Sequence, residues 1–185
     1  MHDNTWFDHE TLQECDDDPF EFTETELGFL AALRARAATW RVPWAPSGVS
    51  RPEDDSSLLV WIALHDEQRP LVLGEWAVHF YGTYLQAGKT SDDLFNLHQT
   101  PERGFFSASG TPDELALRCA DWFEGVLRRP VVRSEWPAGR RVLGSWEFAD
   151  TGEGLATSFA VSANTPPPAR CVQIRPWATR LPSSP

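Results

Sequence analysis

Residues 110–136 read GTPDELALRCADWFEGVLRRPVVRSEW, and this stretch sets the fold. Thr111 is placed to cap a helix and Pro112 to occupy its first position, with Asp113 and Glu114 at the positive end of the dipole. Leu115, Cys119, Trp122, Phe123 and Val126 recur at helical spacing, which predicts one apolar face with Trp122 largely buried. Arg128 and Arg129 suit the last turn, and Pro130 stops the helix. Val131–Trp136 then reads as a strand. Arg141–Phe148 reads as its partner across a turn at 137–140.

Upstream, Thr23 with Glu26 has the spacing of a capping box. It predicts a first helix running to Trp40 and ended by Pro43. The expected apolar stripe is Leu27, Leu30, Leu33, Ala37 and Trp40. Residues 43–57 read as a loop from their Pro, Gly and Ser content. Ser57–His65 and Pro70–Tyr81 alternate on either side of a short polar turn at 66–69, the clearest hairpin signal in the chain. Gly82–Gly88 holds a short third segment, and Ser91–Leu97 reads as a helical turn. Phe105 and Phe106 lead into SASG, read as a loop. Leu155–Val161 continues the meander, and Val172–Ile174 adds an edge strand. Trp61, Trp76, Trp122, Trp136 and Trp146 fall in these elements and are expected in the core.

Helix, hairpin, helix and strand meander make an α+β chain. The expectation is an antiparallel sheet of about five or six strands with two main helices on one face. Residues 1–22 are set apart as an acidic leader, 23–165 as a single domain and 166–185 as a proline-rich tail.

Charge carries the functional information. The net charge is −11, and residues 1–26 hold ten acids with no Lys or Arg. The remaining residues are nearly neutral. Such a chain repels nucleic acid and anionic membrane and attracts a basic protein. Trp6, Phe7, Phe20 and Phe22 lie among these acids, and acid–aromatic mixing suits a segment that docks on its own body or on a partner. The partner-binding candidates are therefore Asp16, Asp17, Asp18, Glu21, Trp6 and Phe20.

No catalytic motif competes with this reading. HExxH, GxSxG and CxxC are absent. GKTSDD at Gly88–Asp93 sits one residue too far from Gly82 for a phosphate loop. Cys15, Cys119 and Cys171 show no zinc spacing, so neither a metal site nor a cofactor is expected. His79 is expected beside Ser56 and far from His65, so the two histidines share no ligand. An enzyme or small-ligand binder using His79, Glu75 or Arg133 in a pocket between sheet and helices is the alternative. No apolar run nears the roughly 20 residues of a membrane span, and the N-terminus lacks the pattern of a secretory signal. A cytoplasmic protein is expected.

The stretch WFEGVLRRPVVRSEW at Trp122–Trp136, followed by SWEFADTG at Ser145–Gly152, resembles small uncharacterised α+β proteins of actinobacteria, some of them immunity-like. The resemblance spans residues 111–154 and implies an inhibitory partner-binding role. It assigns no site residue.

Overall fold

A computed structural model describes residues 6–8, 21–42, 45–52, 57–66, 68–69, 71–90, 96–97, 104–162 and 164–174. The order is α1 (Glu24–Ala37), β1 (Ser47–Ser50), β2 (Leu58–Asp66), β3 (Leu71–Phe80), β4 (Tyr84–Lys89) and β5 (Phe106–Ser109), then α2 (Pro112–Arg128), β6 (Val131–Ala138), β7 (Arg141–Phe148), β8 (Gly154–Thr157) and β9 (Arg170–Gln173). The chain is α+β with two antiparallel sheets, of five and four strands. It forms two compact units, Met1–His65 with Gly74–Leu127 and Asp66–Leu73 with Arg128–Pro185.

In the first unit, β1 to β5 pair in chain order as a meander. β2 and β3 form the expected hairpin. Its turn closes by Arg69 N–H donating to the Asp66 carbonyl at 3.0 Å and Gln68 N–H donating to Asp66 Oδ1 at 3.0 Å. Register places Phe80 opposite Leu85, and Ala87 opposite Phe106. Those residues share a face, because cross-strand partners and alternate residues point the same way. Phe29 of α1 stacks on Phe80 at 4.1 Å, and Trp122 of α2 stacks on Phe106 at 6.3 Å. Both helices therefore cover one face.

The helices differ from expectation in which residues they bury. In α1 the stripe is Glu26, Phe29, Leu30, Leu33 and Ala37, while Leu27 is 51% exposed. Glu26 takes the inward position because its carboxylate is satisfied there. It accepts from Thr23 N–H at 2.7 Å and from Arg51 Nη2 at 2.8 Å. Burial pushes this carboxyl up, but those hydrogen bonds outweigh it and leave it below the usual range. The helix ends at Ala37, three residues short of Trp40. In α2 Thr111 caps as expected, its hydroxyl accepting from Glu114 N–H, and the Glu114 carboxylate in addition accepts from Thr111 N–H at 2.9 Å. The inward face is centred on Leu115, Ala116, Cys119, Ala120, Phe123 and Leu127. Trp122 is only half-buried, because one residue turns a helix by about 100° and Phe123 holds the inward position. Cys119 is buried as predicted, and burial pushes its thiol well up.

Two segments read as loops are strands. SGVS at Ser47–Ser50 pairs with Leu59–Ile62, and FSAS at Phe106–Ser109 pairs with Tyr84–Ala87. Both are short edge strands whose pairing comes from the neighbouring strand rather than from their own composition. Of the helical turn expected at Ser91–Leu97, residues 91–95 lie outside the described residues, as does Pro43. Leu97 forms an isolated antiparallel bridge with Thr90.

In the second unit the strand order is β8-β7-β6-β9. Ala138 pairs with Arg141 around a two-residue turn in which Gly139 has φ 63°, a conformation that favours glycine. Val131, Arg133 and Glu135 point to the buried side of β6. Val132, Ser134 and Trp136 lie on the other side, so Trp136 is half-buried rather than core. Trp61 is half-buried too, whereas Trp76 and Trp146 are core as expected.

Candidate functional site

The densest polar constellation among the described residues lies in the second unit. It joins the hairpin turn to β6 and β7. Arg133 Nη1 donates to Asp66 Oδ2 at 2.5 Å, Nε to Glu135 Oε1 at 2.8 Å and Nη2 to Gln68 Oε1 at 3.0 Å. Asp66 Oδ2 also accepts the Trp146 indole N–H at 2.9 Å. Arg69 donates to Glu135 at 3.1 Å and to the Val142 carbonyl at 3.0 Å. Asp66, Arg133 and Glu135 are all buried. Burial pushes the Asp66 carboxyl up, but the bonds from Trp146, Arg133 and Gln68 and the charge of Arg133 outweigh it and hold it below the usual range. All three nitrogens of Arg133 and both oxygens of Asp66 are spent inside the cluster. It is a network suited to fixing the turn.

Trp146 is held tightly from a second direction. A Cβ built on Gly144 would meet the Trp146 ring at 2.6 Å. Gly144→Ala is therefore expected to cost about 1–3 kcal/mol by overpacking. Urea unfolding should show it, with a loss of near-ultraviolet tryptophan signal as the ring shifts. An unchanged midpoint would mean that the ring moves freely.

In the first unit, Ser57 Oγ and His79 Nδ1 lie 3.0 Å apart, one residue from the register expected for His79. Both are buried, Ser57 completely, so the pair reads as a satisfied interior contact. Glu75 stands four residues from His79 on the same strand, about 13 Å away. Of the residues of the pocket-based alternative, His79 and Glu75 belong to the first unit and Arg133 to the second. His79 and Glu75 are separated along β3, and Arg133 is committed to Asp66, Glu135 and Gln68. No family model, curated protein or solved structure matches this chain. No helix among the described residues is long and apolar enough to cross a membrane.

The acidic leader is only partly described. Asp16, Asp17, Asp18 and Phe20 lie outside the described residues, and Glu21 is exposed. Trp6 and Phe7 dock on the chain's own first unit. Phe7 is 0% exposed, with its ring 5.4 Å from Phe123 and 6.0 Å from Trp40. Trp6 meets Trp40 edge-on at 4.8 Å. Phe7 N–H donates to Ser47 Oγ at 2.9 Å, and Arg34 donates to the Phe7 carbonyl at 2.8 and 3.2 Å. Phe7 has φ 58°, a strained conformation for an aromatic residue, which these contacts hold in place.

Sequence reasoning foresaw that the leader's aromatics dock somewhere and left the surface open. The Asp66–Arg133–Glu135 network it did not find. Its signal was present but ambiguous: Arg133 and Glu135 alternate on one side of β6, a pattern that reads as a solvated face.

Proposed function

We propose that this chain is a non-catalytic, cytoplasmic protein-binding module that recruits a basic partner through its acidic N-terminal segment, in the manner of an immunity-type inhibitor. The observation that carries the reading is charge partition. The first 26 residues hold ten acids and no Lys or Arg, within a net charge of −11. Beyond that segment acids and bases nearly balance, and among the described residues several are paired. Arg36 pairs with Asp121, Arg69 with Glu135, Arg129 with Asp150 and Glu153, and Arg133 with Asp66. Glu26 turns inward to Arg51, which leaves the acids before it to set the external field. A concentrated field of one sign mainly speeds encounter with an oppositely charged partner.

Phe7 dictates the form of the test. Deleting the leader would empty a packed site against Phe123 and Trp40, so charge must be removed without removing chain. The variant is Asp16→Asn, Asp17→Asn, Asp18→Asn and Glu21→Gln. The partner is first retained on the wild-type protein from native lysate and identified by mass. Stopped-flow association is then compared for the two proteins. The neutralised variant is expected to associate about tenfold more slowly at low salt. The difference should vanish near 1 M salt, where the Debye length is about 3 Å. A retained protein that is not basic, or equal on-rates with equal salt slopes, rejects the proposal.

A further inference from the structure

The outer face of β6 carries a feature that the charge argument does not use. Trp136 and Phe159 meet edge to face at 5.0 Å. Leu143 lies opposite Trp136 in the register of β6 and β7. Phe159 is positioned by Thr157, whose hydroxyl donates to the Phe159 carbonyl at 2.6 Å and accepts its N–H at 3.3 Å. The chain's own Pro166–Pro168 tract meets this corner through Pro166. The Trp136 indole N–H donates to the Pro166 carbonyl at 2.7 Å.

Consecutive prolines fix φ near −65° and push each preceding residue toward extended backbone, which favours a polyproline II helix. That helix has three residues per turn, so every third residue faces the same way. Burial along the tract follows that period. Thr165 and Pro168 are half-buried, while Pro166 and Pro167 are exposed. The tract is clipped at both ends. Thr165 N–H donates to the Ser162 carbonyl, and Ala169 N–H donates to the Glu135 carbonyl, each at 2.9 Å.

An aromatic corner, an indole N–H donated to a proline carbonyl and a period-three occupant are the elements of polyproline recognition. We propose that the Trp136–Leu143–Phe159 corner is a recognition site for a proline-rich segment of a partner protein, with Pro166–Pro168 as its resident competitor in cis. The site lies wholly in the second unit and uses none of the acidic leader, so it stands or falls independently of the proposed charge-driven recruitment. A neutral, preformed polyproline segment suits it because the recognising groups are two rings, an aliphatic side chain and one N–H donor.

The test uses the full chain and a synthetic peptide, NTPPPAR, which repeats residues 164–170. One variant carries Pro166→Gly, Pro167→Gly and Pro168→Gly, to vacate the corner. A tethered competitor at millimolar effective concentration weakens a ligand of ten-micromolar affinity about a hundredfold. The vacated variant is therefore expected to bind the peptide about a hundredfold more tightly than wild type by calorimetry. Adding Trp136→Phe, which keeps a ring and loses the donor, should weaken that binding about tenfold. A peptide with its prolines changed to alanine should not bind. If the vacated variant does not fold, the wild-type protein is titrated to millimolar peptide, and the Trp136 indole resonance, assigned by its loss in Trp136→Phe, is followed by NMR. A shift of that resonance by the proline peptide alone supports the site. A cooperatively folded vacated variant that ignores the peptide, or a wild-type resonance that does not move, overturns it.

Discussion

Arg133→Ala is expected to destabilise the protein by about 3–5 kcal/mol, because it strands a buried carboxylate. Asp66 keeps the Trp146 indole and the Gln68 N–H but loses its only ionic partner in the network. Glu135 keeps Arg69, which is the more exposed of its two arginines. The cost is one of breaking the pair. It does not measure the pair's worth against an apolar alternative. Arg133→Met with Asp66→Asn should accordingly recover part of the loss. The pH dependence gives a second readout. The folded-state Asp66 carboxyl lies below its ordinary value, so its contribution is present above the unfolded pKa and is lost as pH falls through the folded one. Without Arg133 the carboxyl loses a hydrogen bond and a charge that both favour its ionised form, so it takes up a proton at higher pH. The gap between wild type and Arg133→Ala should thus be widest near pH 7 and shrink toward about pH 4. Urea unfolding at both values measures it. A gap that does not change with pH would mean that the guanidinium acts there by packing alone.

This network also shows where sequence reading stops. The parts of the fold that were legible are those whose signal is local. The Thr23–Glu26 capping box, Thr111 before Pro112, and the alternation flanking the 66–69 turn each lie within a few residues, and each forms as read. β1 and β5 were not legible. SGVS and FSAS carry turn-type composition and become strands only because β2 and β4 offer them a pairing edge. Leu27 and Glu26 exchange their expected roles for a similar reason. The partner that makes Glu26 burial tolerable, Arg51, stands twenty-five residues away. Asp66 and Arg133 are sixty-seven residues apart, and no periodicity links them. The acidic segment was legible as charge, since charge needs no partner to be counted. The docking of Phe7 was not, since it depends on Ser47, Arg34 and Phe123 meeting in space.

Phe123→Ala should cost about 3–5 kcal/mol, the range for removing a fully buried large aromatic. Trp122→Ala, one residue away, should cost only about 1–2 kcal/mol, since a half-buried ring loses part of that contact area. The ordering reverses intuition about size, because the larger ring is the one at the margin. Phe123 is 0% exposed and has the Phe7 ring 5.4 Å away. A double-mutant cycle between Phe7→Ala and Phe123→Ala therefore reads the docking of the leader directly. If Phe7 is seated in solution, the two losses overlap, and the coupling should be about 0.5–1.5 kcal/mol, as for other aromatic pairs. Alanine keeps the Cβ that makes φ 58° costly, so Phe7→Ala reads the loss of the ring and leaves the backbone strain in place. Chemical denaturation of the four proteins supplies all the terms. Additive losses, or a Phe7→Ala variant as stable as wild type, would mean that the leader is not seated against α2. Truncating it would then be a fair test of its charge, and the residue-by-residue neutralisation would no longer be needed.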